Sequence, residues 1–209
     1  MSQAQTIYEF LAQSGNTAAD DLLNLAMDMS EEPYKSAIFE TIIDRGRTKS
    51  SAGIIAQFHL LDPARQAMIV QRAADLNAPL CQAITSQDGR ARDNAVEIIA
   101  KSRDCRLGNA LILLLRSGNY HYVSQATLIL VKMIDSFVTD NPFWYVRQKV
   151  EVDEGFGRLA AGRGVSHQLT EADKRQYLLT TIKEALEIYN VHRRSELVPA
   201  AMMITDARD

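Results

Sequence analysis

Residues 155 to 164, GFGRLAAGRG, bring four of the chain's ten glycines together with two arginines. Within them, GFGRLA (155 to 160) fits the pattern G-x-G-x-x-[GA], whose glycines let a backbone turn approach a pyrophosphate seated on a helix N-terminus. That chemistry needs a strand before the turn, a helix after it, a parallel sheet around both and an acidic residue about 20 positions on. KVEV (149 to 152) is available as the strand and Glu171 or Asp173 as the acid. No other segment patterns as a strand, so the sheet is missing and no cofactor is expected. A nucleotide loop of the Walker type is excluded because no G-K-[ST] follows the glycines.

The arginines of the same stretch allow a second chemistry. Arg158 and Arg163, with Arg147 and Lys149 nearby in sequence, can grip a phosphate or a carboxylate-rich partner. Glu151, Asp153 and Glu154 offset that charge, which leaves a solvated loop between helices as the competing reading. Phe143-Trp144-Tyr145 just upstream, and Tyr120 and Tyr122, offer large apolar area, to which the Trp and Tyr residues add the polar tips typical of binding hot spots. They serve equally as core anchors at the end of a helical stack. Seven residues are therefore candidate partner contacts: Phe143, Trp144, Tyr145, Arg158, Arg163, Tyr120 and Tyr122.

Covalent and metal chemistry find no support. G-x-S-x-G, S-x-x-K and H-E-x-x-H are absent, and His59, His121, His167 and His192 share no ligand spacing. His59 lies in an apolar helix and is expected to be hydrogen-bonded at the core or its edge. Cys81 and Cys105 form no C-x-x-C pair and read as small buried apolar side chains in a reducing compartment. Neither catalytic residues nor a metal site are expected.

These residues must be positioned by elements that the rest of the chain supplies. With 209 residues, 46% of them hydrophobic, the chain is long enough to bury one sizeable core. The first thirty residues lack any basic side chain, and no run approaches the roughly 18 apolar residues needed to span a bilayer. A cytoplasmic protein without membrane association is expected. The net charge of −3 builds in no general attraction to nucleic acid. Asp20, Asp21, Asp28, Glu31 and Glu32, with no Lys or Arg among residues 20 to 32, predict a solvated acidic face on an N-terminal helix.

A repeat organises the chain. YKSAIFETII (34 to 43), ARQAMIVQRA (64 to 73), RDNAVEIIAK (92 to 101) and VSQATLILVK (123 to 132) align on Ser36-Ala37, Gln66-Ala67, Asn94-Ala95 and Gln125-Ala126. The four alanines are 30, 28 and 31 residues apart, a period that suits a helical hairpin. Alanine at a recurring helical position predicts close helix crossings. The apolar segments 51 to 61, 78 to 85 and 107 to 117 alternate with these helices, separated by Asp62-Pro63, Asn77, Asp88-Gly89 and Ser117-Gly118-Asn119. Thr17 with Asp20, and Thr170 with Asp173, each predict a helix-opening capping box. Tyr177, Leu178, Ile182, Ala185, Leu186 and Tyr189 predict the buried face of the C-terminal helix.

DGRARDNAVEIIAKS (88 to 102) resembles the second helix of a HEAT repeat, with Asp88 opening the turn, Arg92 three residues before Ala95, and Ile98-Ile99 on the buried side. The unit length is similar to that of the shorter HEAT-like repeats, such as those of bilin lyases. The match covers residues 30 to 137, and Tyr34, Ala64 and Val123 stand where the other units would need an arginine. The resemblance implies an all-α fold: a short α-solenoid of HEAT-like hairpins with an N-terminal helical cap (1 to 137), a connecting aromatic and glycine-rich loop (138 to 169), and a C-terminal helical segment packing on the stack (170 to 209).

The function expected is a non-catalytic scaffold that binds another protein. The alternative is nucleic-acid or phosphate binding through the loop arginines or through Arg90, Arg92, Arg103 and Arg106, among which Asp88, Asp93, Glu97 and Asp104 are interleaved. A lyase-like module comes third.

Overall fold

The computed structural model describes residues 10–11, 14–140 and 169–192. Among them are nine α-helices: α1 (Ala18–Met29), α2 (Tyr34–Arg45), α3 (Thr48–Ala56), α4 (Pro63–Gln71), α5 (Asn77–Thr85), α6 (Gly89–Ser102), α7 (Gly108–Arg116), α8 (Tyr120–Asp140) and α9 (Glu171–His192). No strand occurs among the described residues, so the fold class is all-α. Helix α8 continues to Asp140, past the change in character that the sequence places after Phe137.

Local chemistry sets several of the boundaries. Asp62 accepts the Arg65 backbone N–H at 2.9 Å with Pro63 in the first turn of α4, and Asp88 accepts the Arg90 N–H at the start of α6. At α9 the expected box forms. The Asp173 N–H donates to Thr170 Oγ1 at 3.2 Å, and Asp173 Oδ2 accepts from both the hydroxyl and the N–H of Thr170. Those bonds hold the Asp173 carboxyl below the usual carboxylate range.

Two expected caps are not used. Helix α5 begins at Asn77 itself, whose side chain instead accepts from the Cys81 thiol. At α1, Thr17 is already helical and makes no cap bond; the Ala18 N–H donates to Asn16 Oδ1 at 2.9 Å.

Asp20 is unavailable for capping because it is drawn inward by Arg45. The two side chains are each 1% exposed and meet at 2.7 Å. Arg45 also donates to the carbonyls of Leu11, Ser14 and Asn16, so its guanidinium is enclosed by acceptors. The acidic face expected over residues 20 to 32 thus loses Asp20 to the interior, while Asp21 stays exposed and pairs with Lys49.

Helices α1, α3, α5, α7 and α9 touch one another in succession, as do α4, α6 and α8, and α1–α2, α5–α6 and α7–α8 pack as sequential pairs. One hydrophobic cluster runs from Leu23 to Ile188 through all of them. The recurring alanine supports close packing in two of four places. Ala95 and Ala126 are fully buried, Ala37 is half-buried and Ala67 is exposed. Burial in residues 64 to 73 centres on Ile69 and Ala73 instead, so the alanine register is wrong for that unit.

In two of the four units, the amide before the alanine reaches back to an earlier segment. Gln66 donates to the carbonyls of Phe58 and Leu61, and buried Asn94 donates to those of Ile55 and Ala56 at 3.0 and 2.8 Å. Asn94 thus meets carbonyls of the last turn of α3, and Gln66 those of the 3-10 turn that follows it. Exposed His59 takes the edge position, with Nδ1 3.1 Å from the Asn94 amide nitrogen.

Helix α9 lies on α7 and on the 3-10 turn Cys105–Leu107. A Cβ at Gly108 would sit 2.0 Å from Thr181 Oγ1, so this crossing requires glycine. Leu178, Ile182 and Ala185 are buried as the pattern predicts, together with Thr181 and Ile188, which it omits.

Candidate functional site

Helix α6 packs against α8, and between them lies a cleft of about 440 Å³. From α6 come Asp93, Glu97 and Ala100, spaced to share one face, with Arg103 just beyond the helix end. From α8 come His121, Gln125, Leu128 and Lys132 on a matching stripe. Val96 and Ile129, each 5% exposed, form an apolar floor, and Leu128, 54% exposed, stands at the edge.

One end of the cleft is held by a tied group of side chains. The Tyr122 hydroxyl donates to Asp93 Oδ1 at 2.8 Å, and the Arg92 guanidinium lies 5.1 Å from the centre of the Tyr122 ring. His121 meets the same ring edge-on at 5.4 Å. Burial, reinforced by the bond to Asp93, raises the Tyr122 hydroxyl above its ordinary pKa and keeps it a donor. Asp93 is thus exposed on its helix and still tied to Tyr122.

The other end is basic. Arg103 has φ 50°, a left-handed conformation that usually goes to glycine at a helix end and costs other residues about 1 kcal/mol or more. Neither Arg103 nor Lys132 makes an ion pair with another described residue, whereas Glu97 is paired with Lys101 at 2.6 Å.

The candidates from sequence fall in different places. Tyr120 is 78% exposed at the start of α8, beside the cleft-lining His121, and Tyr122 is buried beneath the same end. Phe143, Trp144, Tyr145, Arg158 and Arg163 lie outside the described residues, as does the whole of GFGRLAAGRG. The four arginines of the third unit are not equivalent. Arg92 donates to the carbonyls of Ile84 and Ser86, Arg106 forks onto Asp104 at 2.6 to 3.2 Å, Arg90 is exposed, and Arg103 lines the cleft.

Gln125 enters the sequence pattern only as the residue before a repeated alanine, and Lys132 belongs to no motif. The signal for them was the shared spacing on two helices one repeat apart.

Cys81 and Cys105 are free and half-buried, more exposed than the sequence suggests. Burial, with Asp104 adding to it, pushes the Cys105 thiol up to about 11, and burial also raises Cys81. Neither is an activated nucleophile near neutral pH. Among the described residues, no three of His, Cys, Asp and Glu gather as metal ligands, and no helix is long and apolar enough to cross a membrane. In comparisons with known proteins, no family model and no curated protein matches the chain.

Proposed function

We propose that the chain is a protein-interaction scaffold without catalysis of its own, built as a short α-solenoid of HEAT-like hairpins and working in a reducing, cytoplasmic setting. The single observation that carries the reading is the cleft between α6 and α8, where an apolar floor is bordered by Arg103 and Lys132, neither of which makes an ion pair with another described residue. The alternating succession of helix contacts supports the architecture, since stacked hairpins place every second helix side by side. Tyr120, next to His121 in sequence, adds a large exposed ring at the start of α8.

Nucleic-acid binding is a weaker reading of the same surface. Arg92 and Arg106 are committed to carbonyls and to Asp104, and Asp93 shares the cleft with Arg103. A lyase-like role finds no activated residue to carry it among the described residues.

The test is in-cell cross-linking with identification of the bound proteins. Leu128→Asp combined with Lys132→Glu is expected to abolish capture of a partner that Glu40→Lys, at an exposed position on α2, retains. Retention by the double variant, or turnover of a metabolite by the purified protein with no partner captured, overturns the proposal.

A further inference from the structure

The charges of the cleft are segregated along its length. Tyr122 on α8 reaches Asp93 on α6, and the lining residues advance together from Asp93 and His121 to Arg103 and Lys132. The two helices therefore run in the same direction past the cleft. Ten residues separate Asp93 from Arg103, which is about 15 Å of helix axis. An extended segment covers that distance in four or five residues at about 3.3 to 3.6 Å each.

Building on the scaffold reading, we infer that this cleft takes an extended peptide segment with a carboxylate against Arg103 and Lys132, an apolar residue over Val96 and Ile129, and a basic group near Asp93. Three observations converge on that occupant. The first is the backbone at Arg103: glycine would relieve the left-handed strain, yet an arginine stands there with its side chain on the cleft and without an ion pair among the described residues. The second is the pairing of types, since two cations at one end suit a single anionic group, held by charge-assisted hydrogen bonds. The third is the opposite end, where a nucleic-acid backbone following the cleft would carry its next negative charges towards Asp93 and be repelled. A segment with opposite charges at its two ends meets Asp93 at one end and Arg103 with Lys132 at the other.

The test is selection of a random octapeptide display library on the purified full-length protein, followed by titration of the enriched peptides made synthetically. Enriched sequences are expected to place an acidic residue three to five positions from a basic one, with an apolar residue between. Free and amidated C-termini separate a terminal carboxylate from a side-chain carboxylate.

Arg103→Gly and Lys132→Gln are each expected to weaken binding about tenfold, the scale of one lost charge-assisted bond. Asp93→Asn, which keeps an acceptor for Tyr122, is expected to remove only the preference for the basic residue. Arg103→Gly should leave the melting temperature unchanged or raise it, because glycine suits the backbone. A fall in melting temperature would mark Arg103 as a structural residue and overturn its assignment.

No enrichment, acid-free enriched sequences, equal selection by Arg103→Gly protein, or stronger binding of a single-stranded oligonucleotide than of any peptide also overturns the inference. If the library yields nothing while cleft-dependent partner capture persists, the occupant is wrong and the scaffold function stands. If both fail, both are wrong.

Discussion

Ala95 and Ala67 occupy equivalent places in the sequence repeat and opposite environments in the fold. Ala95 is fully buried where α6 meets its neighbours, and Ala67 faces outward on α4. A leucine at 95 must push adjacent backbones or force strained rotamers, at a cost of about 1–3 kcal/mol. At 67 the added atoms enter solvent, and the change should stay within about 0.5 kcal/mol. Urea denaturation of Ala95→Leu and Ala67→Leu measures the contrast directly, and equal losses would show that the two alanines share one environment.

Alanine spacing by itself told nothing about which of the four would be buried. The four helices bury different faces, and Ile69 with Ala73 takes over that role in residues 64 to 73. The amide before the alanine was legible as part of the pattern, but its use was not. Asn94 reaches carbonyls 38 and 39 positions earlier in the chain, a connection no local window contains.

Among the elements, the α7–α9 crossing depends most narrowly on one residue type. Gly108 faces Thr181, whose hydroxyl donates to the Tyr177 carbonyl at 2.9 Å and is thereby fixed in direction. Gly108→Ala should therefore destabilise the protein by about 1–3 kcal/mol through overpacking. Thr181→Ala removes the atom in the way, so the double variant should recover a large part of that loss, and a thermodynamic cycle over the two sites reads the coupling. Additive effects would mean that the helices do not meet there.

The existence of α9, its Thr170 cap and its Leu178–Ile182–Ala185 face were all readable from residues three and four apart. Its landing place on α7 was not, because glycine at 108 also fits an ordinary turn.

For the molecule as a whole, the buried Asp20–Arg45 pair ties α1 and the residues just before it to the end of α2. Arg45 gathers Asp20 and three carbonyls from residues 11 to 16, fixing the N-terminal approach to α1 against the end of α2. Asp20→Ala leaves a guanidinium in the interior without its carboxylate, and a loss of about 3–5 kcal/mol is expected. The solvated pair Asp21–Lys49 should contribute no more than about 1 kcal/mol, so Asp21→Ala is the matched control in the same unfolding experiment. Similar losses for the two variants would contradict the burial of Asp20.

By itself the sequence determined the all-α class, the positions of the helices and several of their caps. Those properties arise within a few residues, from apolar spacing near 3.6 and from side chains that reach the next backbone N–H. Tertiary structure alone decided that Asp20 turns inward, that Ala67 turns outward, and that Arg103 and Lys132 border one cleft with Asp93 at its far end. The cleft residues come from helices about one repeat apart, and their register is set by the packing of every helix between and around them. No local preference encodes that register, so the candidate site became visible only when the helices were side by side.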